Sequence, residues 1–388
     1  MRRFGKLLGR VLLLLLVLGT AGYLWKREQI ARLMAVNSLF SEEKIVHNFS
    51  NMNAAFLTLP MTRGPGPVAE LAQGPEMALP PGTAEWIRKR AVTALIVMKD
   101  GAIRHESYHL GTKAEDRRIS WSVAKSFLSA LFGIILQDGD IESIHDPVVK
   151  YAPSLAGTAY GDAKIIDVLQ MSSGIVFDED YLNFWSDINK MGRVLALGQS
   201  MDGFTEGLTE TYAAPGEKWQ YVSIDTHVIG MVIRGATGRR IADLLQEKIL
   251  DHMGFDSNPY YLSDGYGTAF VLGGLNLSTR DYARFGQMVM QDGVWQGKQV
   301  VPADWLREST VPSAHTLPGE RQYGYQWWIA PDADEGEFYA RGIYGQYIFF
   351  DRARGVVIAS NGADREFRND GVHESNIAMF RALARAVE

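Results

Sequence analysis

Cysteine is missing from all 388 residues. Its absence excludes disulfides, thiolate metal sites, a cysteine nucleophile and cysteine lipidation. There is no Gly-x-Ser-x-Gly elbow, so a Ser-His-Asp hydrolase of that type lacks local support. An excess of positive charge is lacking too: 39 Lys and Arg face 45 Asp and Glu, a net charge of -6, and basic residues concentrate only at the N-terminus. That balance makes no electrostatic case for nucleic acid as a partner. Internal repeats are absent. What is present, 46% hydrophobic and 22% charged residues, suits one large globular unit or two joined domains.

Residues 1–30 read as an export signal, with Arg2, Arg3, Lys6 and Arg10 preceding a leucine-rich apolar run at 11–25. A helix over that run alone is about 22 Å long, short of the ~30 Å hydrocarbon core. Including Leu7 and Leu8, with Arg10 snorkelling, makes spanning possible. Gly19-Thr20-Ala21 offers small residues for a signal peptidase, so the segment is either a cleaved signal or an uncleaved anchor. Lys26, Arg27 and Arg32 directly after it favour the anchor. In both cases the positive flank stays cytoplasmic and the remainder is exported, to the outer face of the inner membrane or to the periplasm. The membrane is thus an expected partner, and nothing in the sequence speaks to an oligomeric state.

Residues 31–90 read as an extended connector, rich in proline and glycine at 61–82. A domain at 91–388 then opens with a hairpin: a strand at 91–98, the turn Asp100-Gly101 and a returning strand at 103–110. Helical periodicity follows over 125–137 and ends at Asp138-Gly139-Asp140. A mainly helical insertion is expected at about 150–270. Strand-like segments return at 323–329, 338–341, 347–351 and 355–360, before a final helix at about 374–387. Strands at both ends with helices between predict an α+β fold, an antiparallel sheet flanked by helices with a helical insertion.

The chemically suggestive run is Ser120-Trp121-Ser122-Val123-Ala124-Lys125-Ser126-Phe127. On a helix, Ser122 and Lys125 share a face. The apolar residues that follow would desolvate Lys125 and lower its pKa, the condition for a lysine to activate a serine without histidine. The bland alternative is a helix N-terminus with a polar first turn. Ser41-x-x-Lys44 has the same spacing but a charged flank, and reads as an exposed helix start capped by Ser41. His105-Glu106-Ser107-Tyr108-His109 matches a zinc-protease pattern that requires a helix. As a hairpin strand at ~3.3 Å per residue it separates the histidines by roughly 13 Å, and a solvent-facing strand is expected. His227 and His315 read as structural.

A proton donor for the leaving group has two candidates. Tyr221-Val222-Ser223 precedes an apolar helix at 226–233, and Tyr181-Leu182-Asn183 lies in a polar loop after Ser172-Ser173-Gly174. A phenol with a pKa near ~10 serves only if a neighbouring cation stabilises its anion, and Lys125 is the expected cation.

Together these residues resemble the serine β-lactamase and penicillin-binding-protein superfamily, in its class C-like and esterase-like branch, over roughly 91–388. Ser122 and Lys125 match its Ser-x-x-Lys. Tyr221 and Ser223 match its Tyr-x-Asn or Tyr-x-Ser. Ala340-Arg341-Gly342-Ile343 is similar to its Lys-Thr-Gly or His-x-Gly strand, with Gly342 at the glycine. Leu136-Gln137-Asp138-Gly139-Asp140, Tyr151-Ala152-Pro153, Leu169-Gln170-Met171-Ser172-Ser173-Gly174 and Pro215-Gly216 resemble family segments in the same order. Ala340 stands at the lysine position, and strand alternation is expected to turn Arg341 to the opposite face, which argues against efficient β-lactam turnover. The pattern is most similar to the 6-aminohexanoate-dimer hydrolases.

The resemblance implies acyl transfer on small esters or amides with no metal or organic cofactor. Ser122 is the nucleophile, Lys125 the base and Tyr221 the proton donor. The backbone N–H groups of Ser122 and Ile343 form the oxyanion hole, and Tyr181, Ser223 and Gly342 contact substrate. Two alternatives stand beside it: a β-lactamase or penicillin-binding carboxypeptidase, and a catalytically silent binding protein of the cell envelope. A silent member would be expected to have lost Ser122, Lys125 or Tyr221, and all three are present. Trp185, Trp327 and Trp328 read equally as cleft or as core.

Overall fold

The computed structural model describes residues 2–387. Eight strands form the main sheet: β1 (Ala72–Gln73), β2 (Val92–Lys99), β3 (Ala102–Tyr108), β4 (Gln322–Tyr323), β5 (Trp328–Ile329), β6 (Glu337–Gly342), β7 (Gln346–Asp351) and β8 (Val356–Gly362). Their spatial order is β4-β5-β6-β7-β8-β2-β3-β1. Every neighbouring pair is antiparallel except β1 with β3.

Asp100 and Gly101 both take positive φ, +50° and +84°, the conformation a two-residue hairpin demands, so β2 turns straight into β3. The late strand β8 then pairs with β2, Val356 opposite Lys99 and Ile358 opposite Val97. The expected sheet made from distant parts of the chain is the one observed.

Helices cover both faces. On one, α6 (Val372–Ala386) buries Phe380 and Leu383 against Phe349, Ile358 and Leu95. On the other lie α2 (Ala124–Asp138) and α5 (Thr279–Met290), joined by Phe127 and Phe285, whose rings stack at 3.6 Å. Most of α2 is apolar and buried, and Gly139 ends it with φ +84°, the left-handed cap that glycine favours. Between β3 and β4 the chain leaves the main sheet. This excursion holds α2, α3 (Asp187–Ala196), α4 (Ser223–Thr237) and α5. Within the expected helical insertion the strand Tyr260–Ser263 also appears, and it joins Leu57–Pro60, Leu275–Leu277 and Arg118–Ile119 in a second, four-stranded sheet.

Three expectations are corrected. The single strand at 323–329 is two short strands, because the chain turns through Gln326 at φ +67°. Ser41 does not cap a helix: its hydroxyl donates to Ser38 O, and Lys44 precedes the helix Ile45–Ser50. Residues 31–90 are not an extended connector throughout. The N-terminal helix α1 continues to Asn37, a short helix spans Ile45–Ser50 and another Thr83–Lys89. Burial explains the middle part, since Leu39, Ile45, Phe49 and Met52 join the main core.

α1 (Arg2–Asn37) is about 54 Å long at ~1.5 Å per residue. Its stretch Phe4–Asn37 is long and apolar enough to cross a membrane, and the most apolar window buries nothing. Its last turns differ: Leu33, Ala35 and Val36 pack on the core, and Arg32 Nε donates to Ala196 O at 3.0 Å.

Candidate active site

Ser122 does not sit inside a regular helix. It occupies the 3₁₀ turn Trp121–Val123, which runs directly into α2. Trp121 before it holds φ +41°, a conformation costing on the order of 1–3 kcal/mol for a non-glycine residue. Packing offsets that cost: Phe40, Phe49 and Tyr344 surround the indole, with ring centroids at 5.8, 5.6 and 6.4 Å. The turn that presents the serine is thus braced from residues 40–49. Behind it, Ser120 N donates to Leu275 O at 2.8 Å. Gly342 passes so close that a Cβ there would lie 2.5 Å from Ser120 O, so only glycine lets β6 approach the nucleophile turn.

Lys125, one turn along, is 1% exposed. Burial brings its amine down to about 7, while the carboxylates of Glu179 and Asp225 pull it back upward. Its Nζ donates to Ser223 O at 3.4 Å and lies 5.6 Å from the centre of the Tyr221 ring. Tyr221 lines the same cleft as Ser122, whose hydroxyl acts to lower its phenol. Burial and Glu179 push its phenol upward, and Arg341 pulls it down. Arg341 thus stands as a second cation near this phenol, beside the Lys125 that was expected there.

Gln326 holds the parts in register. Its carbonyl accepts from Ser126 Oγ at 2.8 Å, and its side-chain oxygen accepts from Thr226 Oγ1 at 2.7 Å. Each hydroxyl lies one residue beyond a charged site residue, Lys125 on α2 and Asp225 on α4. One residue, through its backbone and its side chain, thereby ties both helices.

Two acids unforeseen in the sequence complete the centre. Asp225 is fully buried and accepts from Tyr160 Oη at 2.7 Å and Ser173 Oγ at 2.8 Å. Burial raises it to about 7 against those hydrogen bonds and Lys125. Glu179 Oε1 accepts from Ser223 N, and its Oε2 is buried without a partner among the described residues. It too is raised by burial and drawn down by Lys125. Asp225 had a signal, an acid inside an otherwise apolar helix. Glu179, in the acidic run Asp178-Glu179-Asp180, had none.

The structure brings Ser122, Lys125, Tyr221, Tyr181, Ser223, Gly342 and Ile343 to one place. Two cavities open from it, and Ser122, Tyr181 and Ile343 line both. One, of about 310 Å³, is walled by apolar side chains such as Phe40, Met191, Leu195 and Phe270. The other, of about 810 Å³, contains Tyr221, Glu179, Arg321, Arg341 and Arg368. Arg341 was expected on the face away from the site. It is Ala340 that turns into the core beside Ile348, and Arg341 that lines the cleft above Trp328. Arg321 lies over the same indole, also at 5.8 Å. Arg368 is paired with Asp180 at 2.7 Å.

The remaining singled-out residues lie elsewhere. His105 and His109 stand at β3, and both Nε2 atoms hydrogen-bond to Ser107 Oγ, at 2.9 and 3.0 Å. The rings lean together despite their backbone spacing, yet no cluster of three or more potential metal ligands occurs among the described residues. His227 is buried against Asp202 at 2.8 Å. His315 bonds Gly216 O at 3.1 Å. Trp327 is core, Trp328 lines the polar cleft and Trp185 is 71% exposed.

Comparison with known proteins agrees with this geometry. The Beta-lactamase family model matches residues 83–372. A 6-aminohexanoate-dimer hydrolase from Paenarthrobacter ureafaciens is 28% identical over 292 residues, 72% of this chain and 74% of that protein. In fold, the chain is similar to a candidate 6-aminohexanoate-dimer hydrolase from Bacillus anthracis (TM-score 0.78, 21% identity, 89% of this chain and 95% of that one). It is also similar to a family VIII carboxylesterase (TM-score 0.58, 14% identity, 81% and 99%). A penicillin-binding protein homologue from Pyrococcus abyssi shares the fold as well (TM-score 0.58, 17% identity, 77% and 75%). The chain belongs to the Beta-lactamase family and is a serine hydrolase of that superfamily.

Proposed function

We propose that the protein cleaves small carboxylic esters or amides through an acyl-enzyme on Ser122. The observation that carries this reading is the buried Lys125 amine, held by Ser223 O at 3.4 Å and 5.6 Å from the centre of the Tyr221 ring, at the cleft that Ser122 and Tyr221 both line. Neutral Lys125 takes the Ser122 proton, and Oγ attacks the substrate carbonyl. The backbone N–H groups of Ser122 and Ile343 hold the oxyanion, donors in place before the charge develops. Tyr221, kept neutral by burial, passes a proton to the leaving group. Water then releases the acyl group by the reverse relay. Tyr181 and Ser223 contact the scissile group, and Gly342 lets the strand approach it. Glu179 and Asp225 position and bias Lys125. No metal or organic cofactor enters these steps.

The name of the Paenarthrobacter relative supports a small amide as one substrate class, and the fold shared with a carboxylesterase supports esters. α1 supports export, with retention as an anchor favoured. Cleavage after Ala21 would still leave Phe40 and Phe49 in place behind Trp121.

Hydrolysis of p-nitrophenyl butyrate by the full chain tests the reading. Ser122→Ala should lose on the order of 10⁴-fold or more in kcat, with turnover unchanged by a chelator. Turnover that survives in folded Ser122→Ala would remove Ser122 from the mechanism. One observation favours a second reading: Arg341 restores a cation to the cleft despite Ala340 at the family's lysine position. A β-lactamase would hydrolyse nitrocefin in a Ser122-dependent way, and p-nitrophenyl ester turnover without nitrocefin turnover favours the first reading.

A further inference from the structure

The two cavities differ in which catalytic group they contain, and this assigns the halves of the substrate. Tyr221, the proposed donor to the leaving group, lines the arginine-bearing cleft and not the apolar one. On the reading of a Ser122 acyl-enzyme, the leaving portion departs on the Tyr221 side. The acyl portion then occupies the apolar chamber.

Two of the chamber's polar side chains are turned to loop carbonyls. Asn189 Nδ2 donates to Tyr181 O at 3.0 Å and Asn183 O at 2.9 Å, and Arg193 donates to Phe184 O at 2.7 Å. Most of what faces the space is hydrocarbon and aromatic carbon. Its volume of about 310 Å³ sits at the lower end of the ~300–1,000 Å³ usual for small-molecule sites, far more than an acetyl group fills. Part of its wall, Val36 to Phe40, is the end of α1 and the residues just after it. Around it stand Leu182 at 78% exposure and Phe184 at 56%, an apolar rim of the kind that meets acyl chains.

We propose that the enzyme is specific for long-chain acyl esters or amides, the aliphatic chain lying in this chamber against the end of α1. The carbonyl carbon forms a bond to Ser122 Oγ, and the carbonyl–oxygen or carbonyl–nitrogen bond to the leaving group breaks. The leaving group departs with a proton delivered by Tyr221. Water cleaves the acyl-enzyme to a free carboxylic acid and restores Ser122.

The test uses the full chain in detergent micelles and p-nitrophenyl esters of two to twelve carbons. Each methylene buried in the chamber should raise kcat/KM about fourfold, equivalent to ~0.8 kcal/mol. Gly192 provides a way to fill the space, because it lines the chamber and a Cβ there meets nothing within 4 Å. Gly192→Phe should abolish the gain from longer chains, costing octanoate turnover far more than acetate turnover. Gly192→Ala should keep the gain.

Anionic phospholipid vesicles and a soluble N-octanoyl amino acid distinguish the source. Fatty acid released from vesicles identifies the bilayer, and octanoate released only from the soluble amide identifies free acyl conjugates. A flat or falling chain-length profile, or equal loss on acetate and octanoate in Gly192→Phe, would overturn the proposal. Those outcomes are separable from failure of the serine mechanism, in which Ser122→Ala would retain turnover on every ester.

Discussion

The two cavities beside Ser122 share a nucleophile and differ in almost everything else. The smaller is walled mostly by hydrocarbon from α1, α3 and residues 262–273, with Asn189 and Arg193 tied to loop carbonyls. The larger holds Arg321 and Arg341 over one indole, with Glu179 and Tyr221 at its floor. Neither arginine forms an ion pair among the described residues, whereas Arg368 nearby does. The contrast teaches that polarity in this site marks direction. On the proposed reading, charge gathers where a proton is delivered and a leaving group separates, and apolar surface gathers where a chain is held.

Removing what the cavities share should have the largest effect. Lys125→Met fits the same buried space without an amine, and should lower kcat on the order of 10²–10⁴-fold on every substrate, whatever its chain length or charge. A loss confined to one substrate class would show Lys125 to be a binding residue.

A smaller and one-sided effect is expected from Arg341→Met, which keeps an apolar stem over Trp328. Substrates with a carboxylate on the leaving portion should lose roughly tenfold to a hundredfold in kcat/KM, the size of a charge-assisted hydrogen bond at about 1.5–3 kcal/mol. Neutral p-nitrophenyl esters should change little. Equal losses on both would break the comparison, because the arginine would then act on the chemistry common to the two sides.

The smallest effect is a displacement of the pH profile. The base must be neutral, so kcat/KM should rise with pH through about 7, where burial places Lys125. Asp225 raises the Lys125 pKa. Asp225→Asn, which keeps an acceptor for Tyr160 and Ser173, should therefore lower it and move the acidic limb to lower pH. A profile that stays fixed would mean that another group titrates in that limb.

The site was legible where its logic is local. Ser122 and Lys125 are one turn apart, and the apolar run behind them announces the desolvation that the buried amine experiences. Tyr221 was legible from its place just before an apolar helix. Arg341 was misplaced because alternation along a strand separates two faces without saying which one is core. In β6 both sides are covered: Ala340 and Phe338 pack under α2 and α5, while Tyr339 packs towards α6. Glu179 and the bracing aromatics Phe40 and Phe49 escaped because their partners lie tens to hundreds of residues away. In the fold, the sheet was readable from the turn at Asp100-Gly101 and the late strands. The break at Gln326 was not, since it exists to reach Ser126 and Thr226 on two other helices.

The most direct test of the central claim is the covalent intermediate itself. Full-length protein mixed with p-nitrophenyl octanoate is quenched in acid during turnover, and its intact and peptide masses are measured. The account predicts one octanoyl increment on the peptide carrying Ser122, absent in Ser122→Ala. Acylation of a different residue, or fast turnover with no acylated protein and no p-nitrophenolate burst, would contradict it.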